Sequence, residues 1–269
     1  MHIKKVATAL FLFAHQDDEF GVFQTIADCR AAGMRIACAY LTRHPDPAID
    51  QRRNQESLGV LDSLGVPSSA VRFGGAELAI DDATLPLHMA RAADWIDDWI
   101  GCHDNVDLIC VTAWEGGHHD HDCLHAMTAH LAAAYGQLGL LRQYSLYNRL
   151  GCPGPLFNVL APLAANGPVE WRVIPVRQRL RYLRLCLQYP SQRTTWIGLF
   201  PFVLLHYLMR GVQTLQPVTL ARIADKPHAG VLYYEHRQFY TWDKMQQQVS
   251  AWRQGVLETS GTRGAQAAR

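Results

Sequence analysis

Two short clusters in this chain carry side chains able to hold a metal ion and move protons. His15-Gln16-Asp17-Asp18-Glu19 follows the apolar run Ala7 to Ala14. Glu115-Gly116-Gly117-His118-His119-Asp120-His121-Asp122 follows the apolar run Val106 to Val111. Two histidines and a carboxylate with an open fourth position make a catalytic zinc site, which acidifies water and polarises a carbonyl. Such chemistry also needs a base for the water's proton, and Asp17 can supply it. A donor facing the developing oxyanion helps, and His118 can provide one. Gly116 and Gly117 permit the tight backbone that turns several imidazoles toward one point.

These clusters must be positioned by the elements that precede them. Apolar runs of strand length alternate with helical patterns through the first 150 residues. Strands are expected over Ala7 to Ala14, Arg35 to Leu41, near Val71, over Val106 to Val111 and near Tyr144 to Tyr147. Helices are expected over Gly21 to Ala32, Gln51 to Leu64, Leu87 to Trp99 and Cys123 to Tyr135. The alternation predicts an α/β, Rossmann-like fold: a mostly parallel sheet with helices on both faces. Ligands of such sheets bind at the carboxyl ends of the strands, where both clusters fall, as does a third polar loop, Thr42-Arg43-His44. Read alone, Asp17 or Asp18 would be a helix N-cap and Arg53 with Glu56 an exposed intrahelical pair. Trp95 and Trp99, at helical spacing, read as core.

Beyond Leu150 the pattern predicts an irregular, apolar C-terminal part. Gly151 to Pro168 reads as an insertion, Glu170 to Pro175 as a strand and Arg177 to Gln188 as a helix. Pro217 to His228 is connective, and Val231 to Tyr234 a late strand. A single domain is expected over 1–258, with a Rossmann-like core at 1–150, the insertion and C-terminal elements at 151–258, and a disordered tail over 259–269. Trp196 to Met209 is unusually apolar, but Gly198 and Pro201 interrupt it and it is too short to span a bilayer. It is either a buried helix from about Phe202 or an exposed surface, flanked by Arg193 and Arg210, that meets a lipid-linked sugar or the membrane interface.

Composition narrows the class. With 49% hydrophobic and 18% charged residues the chain can bury a core, and a net charge of +1 gives no electrostatic case for nucleic acid. Thirteen histidines are an excess pointing at a site. Seven scattered cysteines without a C-x-x-C pair read as free thiols in a reducing, cytoplasmic compartment, peripheral to the membrane if the apolar segment is exposed. No G-x-G-x-x-G follows the first strand, whose loop is anionic where a nucleotide binder offers glycines.

Ala14-His15-Gln16-Asp17-Asp18-Glu19 resembles the A-H-P-D-D-E motif of the LmbE-like, or PIG-L, family of zinc-dependent N-acetylglucosamine deacetylases. His118-His119-Asp120-His121 is similar to that family's second motif, H-P-D-H. Weaker echoes are Leu41-Thr42-Arg43, Arg53 and Glu56 before Leu64-Gly65-Val66, and Tyr189-Pro190-Ser191-Gln192. The resemblance covers roughly residues 5 to 195. It implies a Rossmann-like fold and zinc bound by His15, Asp18 and His121. Asp17 would be the general base, and His118 would stabilise the oxyanion or protonate the leaving amine. Arg53 and Arg43 become candidate substrate contacts. Gln16 and His119 each replace a proline of the family motifs, and His119 adds an imidazole that could itself be the ligand. The implied substrate is a small N-acetylated sugar or glycoconjugate, with family members acting on lipid-, inositol-, thiol-, antibiotic- or oligosaccharide-linked sugars. The alternatives are a metal-dependent hydrolase of another amide or ester, which would use the same residues, and a non-catalytic α/β binding protein whose sheet holds a nucleotide.

Overall fold

The computed structural model describes residues 5–267, with side chains described through 255; the tail expected over 259–269 falls outside the described side chains. Along the first half, β1 (Thr8–Phe13), α1 (Phe23–Ala31), β2 (Arg35–Tyr40), α2 (Pro47–Ser63), β3 (Val71–Phe73), the short α3 (Gly74–Leu78), α4 (Met89–Gly101), β4 (Val106–Thr112), α5 (His119–Ala134) and β5 (Leu141–Tyr144) alternate. Then β6 (Tyr147–Asn148) and β7 (Asn158–Val159) pair antiparallel. They are followed by β8 (Glu170–Val173), α6 (Val176–Cys186), α7 (Arg193–Met209), β9 (Val212–Pro217), the single turns α8 (Leu220–Ile223) and α9 (Tyr233–His236), and α10 (Trp242–Ala267).

The sheet runs β3-β2-β1-β4-β5-β9-β8, parallel from β3 to β5 and antiparallel at β9 and β8. Side chains alternate across each strand, so both faces of the sheet are core. Phe11 and Phe13 enter one layer with Tyr40, Val60 and Tyr182. Leu10 and Leu12 enter the other with Val111, Ile96 and Met127. Strand order reverses between β1 and β4, and the crevice at that switch point lies between the loops carrying the two clusters.

Several boundaries differ from expectation, each for a local reason. α2 starts at Pro47 rather than Gln51, because Asp46 accepts the amides of Ala48 and Ile49 and Pro47 occupies the first turn. α5 starts at His119 rather than Cys123, because the ring of His118 caps it. The late strand expected over Val231 to Tyr234 is instead the helical turn α9: Glu235 reaches back to the amide of Leu232 and closes it. β9 falls in a stretch assigned no strand. Of the two tryptophans read as core, Trp99 is buried and Trp95 only partly so, and their rings stack 6.2 Å between centroids. No described helix is long and apolar enough to cross a membrane.

Candidate metal and catalytic site

At the end of β1 the chain turns on Asp18, whose Oδ2 accepts the amides of Ala14 (3.0 Å) and His15 (2.8 Å). This bond points back to the strand, so neither Asp17 nor Asp18 caps the following turn through its side chain. Asp17 sits in the left-handed region at φ 111°, unusual for a residue with a Cβ. Its amide donates to Glu19 Oε2 (3.0 Å), and Glu19 is fully buried, its pKa pushed up to about 6 by that burial. The strained turn leaves the Asp17 side chain in the cleft.

At the end of β4, Asp122 Oδ1 accepts the amides of Glu115 and Gly116. Glu115 Oε1 in turn accepts those of Leu146 (2.6 Å) and Tyr147 (3.0 Å). Gly116 takes φ 69°, and a Cβ on Gly117 would collide with the carbonyl oxygen of Tyr147. Both glycines are thus required by the backbone. The chain then enters α5 through His118, whose Nδ1 accepts the amide of Asp120 at 3.1 Å. A neutral His118 therefore carries its proton on Nε2. Burial, then the neighbouring charge of His15, holds its pKa well below the ordinary value, so it is a neutral donor.

The two loops converge. His121 Nε2 lies 3.1 Å from His15 Nδ1 and 3.0 Å from Asp18 Oδ1. His15, Asp18 and His121 form one cluster with metal-ligand spacing, and His15, His118 and Asp120 form another. Two imidazole nitrogens facing each other beside a carboxylate need a shared proton or a cation. Charge tells the same: burial pulls the pKa of His15 down, yet the hydrogen bonds it donates to Asp120 and Asp18 outweigh it and hold the ring well above its usual range. Burial would raise Asp18, but His121 and His15 hold it well below. The pocket is built for positive charge.

Hydrogen bonding ranks the two clusters. Both oxygens of Asp120 are engaged, Oδ2 by the amide of Ala83 (2.7 Å) and His15 Nε2 (3.0 Å), Oδ1 by the amide of Leu85 (3.1 Å). Among the described residues, Asp18 Oδ1 meets only His121. A His15 that donates from Nε2 to Asp120 presents the lone pair of Nδ1 to Asp18 and His121, the usual carboxylate–histidine–metal relay. His119 turns away, its Nε2 on the carbonyl of Ala83 and its ring stacked 4.5 Å from Tyr240.

His15, Asp17, Asp18 and His118 line an inner cleft of about 170 Å³ together with Arg53, Asp82, Tyr147 and Gln192. Arg53 does not pair with Glu56; its Nη1 meets Asp82 Oδ2 at 2.6 Å, while Glu56 accepts the amide and hydroxyl of Ser191. Arg43 stands outside the inner cleft, paired with Asp81 at 2.9 Å beside a separate hollow. A second lobe of about 380 Å³ adjoins the cleft through His118, Tyr147, Thr195 and Leu199, and its far walls are Phe157, Tyr233 and Phe239. Asp82 and Gln192 were not singled out as candidate site residues from the sequence, and Asp120 only as an alternative to Asp17 as the base. Asp120 at least lies inside the second motif, whereas Asp82 answers Arg53 from 29 residues away.

Residues 10–132 match the profile of the PIG-L family, described as GlcNAc-PI de-N-acetylase. No curated protein matches the chain in sequence. Among solved structures it is similar to the A40926 pseudoaglycone deacetylase, at 19% identity and TM-score 0.60, over 84% of this chain and 100% of that one. It is similar to the zinc inhibited form of teicoplanin deacetylase, at 16% identity and TM-score 0.59, over 79% and 98%. It is also similar to the N,N'-diacetylchitobiose deacetylase from Pyrococcus horikoshii, at 12% identity and TM-score 0.56, over 82% and 87%. At these identities the likeness is one of fold.

Proposed function

We propose that this chain, which carries the PIG-L family segment over residues 10–132, removes the acetyl group from an N-acetylated sugar of the N-acetylglucosamine type. The observation that carries the reading is the meeting of His15, Asp18 and His121 at the β1/β4 switch point. In this reading those three hold zinc, which when bound supplies Lewis acidity toward the amide carbonyl and the attacking water.

The chain's own residues supply the rest. Asp17 accepts the proton of the water that attacks the carbonyl carbon. Its pKa is pushed well up by burial, then by Asp18 and Glu19, as suits a group that must take a proton. His118 donates from Nε2 to the oxygen that gains charge. The carbon–nitrogen bond then breaks, the amine leaving with a proton and the acyl group leaving as acetate. Asp120 positions His15. Arg53 and Asp82 offer a donor and an acceptor to sugar hydroxyls. Arg43 acts one step back: its carbonyl takes the amide of Asp82 at 2.8 Å, and its side chain holds Asp81.

The aromatic second lobe supports a conjugate rather than a free sugar, and the names of the A40926 pseudoaglycone and teicoplanin deacetylases point the same way, whereas the diacetylchitobiose deacetylase is named for a free disaccharide. A lipid-linked conjugate is the form favoured by the apolar surface of α7, whose first turns line both lobes. The buried, anionic loop after β1 argues against a nucleotide-binding protein. The test is acetate release across a panel of N-acetylhexosamine conjugates, with metal content measured on protein purified without chelators. Zinc-loaded protein should release acetate and chelator-stripped protein should not; equal release by both sinks the reading.

A further inference from the structure

Basic and apolar side chains are unevenly spread over this molecule. From Trp171 to Arg210 there are seven arginines and no aspartate or glutamate, although the whole chain carries a net charge of only +1. The same stretch holds nine of the sixteen large hydrophobic side chains exposed among the described residues. Scattered exposed leucines need no explanation, but a concentration of this kind marks a surface that is covered in use.

The elements carrying these residues are neighbours. β8 leads directly into α6, and α6 packs on α7. Arg179 of α6 ties them, donating to the carbonyls of Ile174 and Tyr207. α7 is split lengthwise. Trp196, Leu199, Val203 and Tyr207 enter the core, and Phe200 and Phe202 pack against it. The opposite stripe, Ile197, Pro201, Leu205 and Leu208, follows a four-four-three spacing in solvent, with Leu205 54% and Leu208 64% exposed. The helix thus begins at Arg193 rather than near Phe202, with one face buried and the opposite face exposed.

Charge decides what covers this face. Arg177, Arg184, Arg193 and Arg210 are exposed and have no carboxylate partner among the described residues. A second copy of the chain would bring the same unpaired arginines against themselves, a repulsive arrangement. An apolar stripe bordered by free arginines is instead complementary to an anionic lipid surface. We propose that this face seats the protein on an anionic membrane, the stripe of α7 entering the boundary between headgroups and acyl chains and the arginines meeting lipid phosphates. The same helix gives Thr195 and Leu199 to the inner cleft and Thr194 and Gly198 to the second lobe, so docking brings the mouth of the site to the bilayer. The inference concerns binding alone and does not depend on the reaction.

The test is co-sedimentation of the full chain with vesicles of phosphatidylglycerol and phosphatidylcholine, and with phosphatidylcholine alone. Wild type should pellet with the first and stay in solution with the second. Leu205→Ser/Leu208→Ser should lower the bound fraction about tenfold, with a thermal unfolding midpoint little changed because both side chains are more than half exposed. Arg177→Gln/Arg184→Gln should weaken binding and flatten its salt dependence, which keeps the test open if the leucine variant fails to fold. Wild type remaining in solution with both vesicles, as an acidic protein partner would predict, overturns the proposal. So does equal binding to both vesicles, or a stable dimer in solution that Leu205→Ser/Leu208→Ser dissociates.

Discussion

Replacing Asp120 by asparagine removes one charge and one acceptor from the centre of the hydrogen-bond network. The wild-type carboxylate serves three donors: His15 Nε2 and the Ala83 amide on Oδ2, and the Leu85 amide on Oδ1. An asparagine turned with its oxygen toward His15 and Ala83 leaves the Leu85 amide facing an NH2 group. The opposite rotamer leaves both other donors without an acceptor, so the first should win. One buried orphan costs about 1–3 kcal/mol, several degrees of thermal midpoint for a chain of this size. The remaining bond to His15 is then to a neutral oxygen, which orients the ring less firmly and makes Nδ1 a weaker donor to a metal. Loss of such a partner typically lowers metal affinity about 10- to 100-fold. Competition for zinc against a chromogenic chelator, with thermal unfolding alongside, measures both effects. Zinc binding as tight as wild type would falsify the orienting role. Complete loss of zinc from a folded variant would instead make Asp120 a ligand, together with His15 and His118.

Asp17→Asn keeps the shape of the turn but cannot take a proton; it should retain zinc and lose about 10²- to 10⁴-fold in turnover, and wild-type turnover on a verified substrate would move the base elsewhere. Burial pushes the Glu115 carboxyl up to about 7 from an ordinary 4.5, so the stability it contributes is complete below about 4.5 and is lost as pH rises through about 7. Glu115→Gln should therefore gain on wild type over that window, by up to about 3 kcal/mol, in thermal unfolding read from pH 4.5 to 8; a gap that is constant with pH refutes it. Gly117→Ala forces a methyl against the Tyr147 carbonyl and should cost about 1–3 kcal/mol or more while weakening zinc binding, both read by the same two assays; a silent substitution would mean the loop has slack that the structure does not show.

What the sequence revealed were the parts with a local signal. β1, β2 and β4 are apolar on both faces, so their runs stand out, and the clusters follow directly at their ends. β9 escaped because Gln213 and Gln216 interrupt its apolar pattern. Both are buried: Gln213 accepts the amides of Gln24 and Thr25, and Gln216 donates to the carbonyls of Leu163 and Gly167. A polar residue satisfied by distant backbone looks like a loop residue in sequence. The early start of α5 was hidden because its cap is a histidine ring rather than a serine, threonine, aspartate or asparagine. The expected Arg53–Glu56 pair gave way to Asp82 and Ser191, both brought in by the fold across gaps with no periodicity.

The order in which the cleft is assembled along the chain has a bearing on descent. Every charged or imidazole group lining the inner cleft lies before residue 132, whereas the far walls of the second lobe come from Phe157, Tyr233 and Phe239. In the proposed reading, the groups that would break the bond and the walls that would decide what approaches them lie in separate lengths of one polypeptide. Mutation can revise the later length, residue by residue, without touching the earlier one. Substitutions in the outer walls could thus change what is admitted while the charged centre stays as it is, and at the meeting point of the two sits Tyr147, whose backbone abuts Gly117 and which lines both lobes.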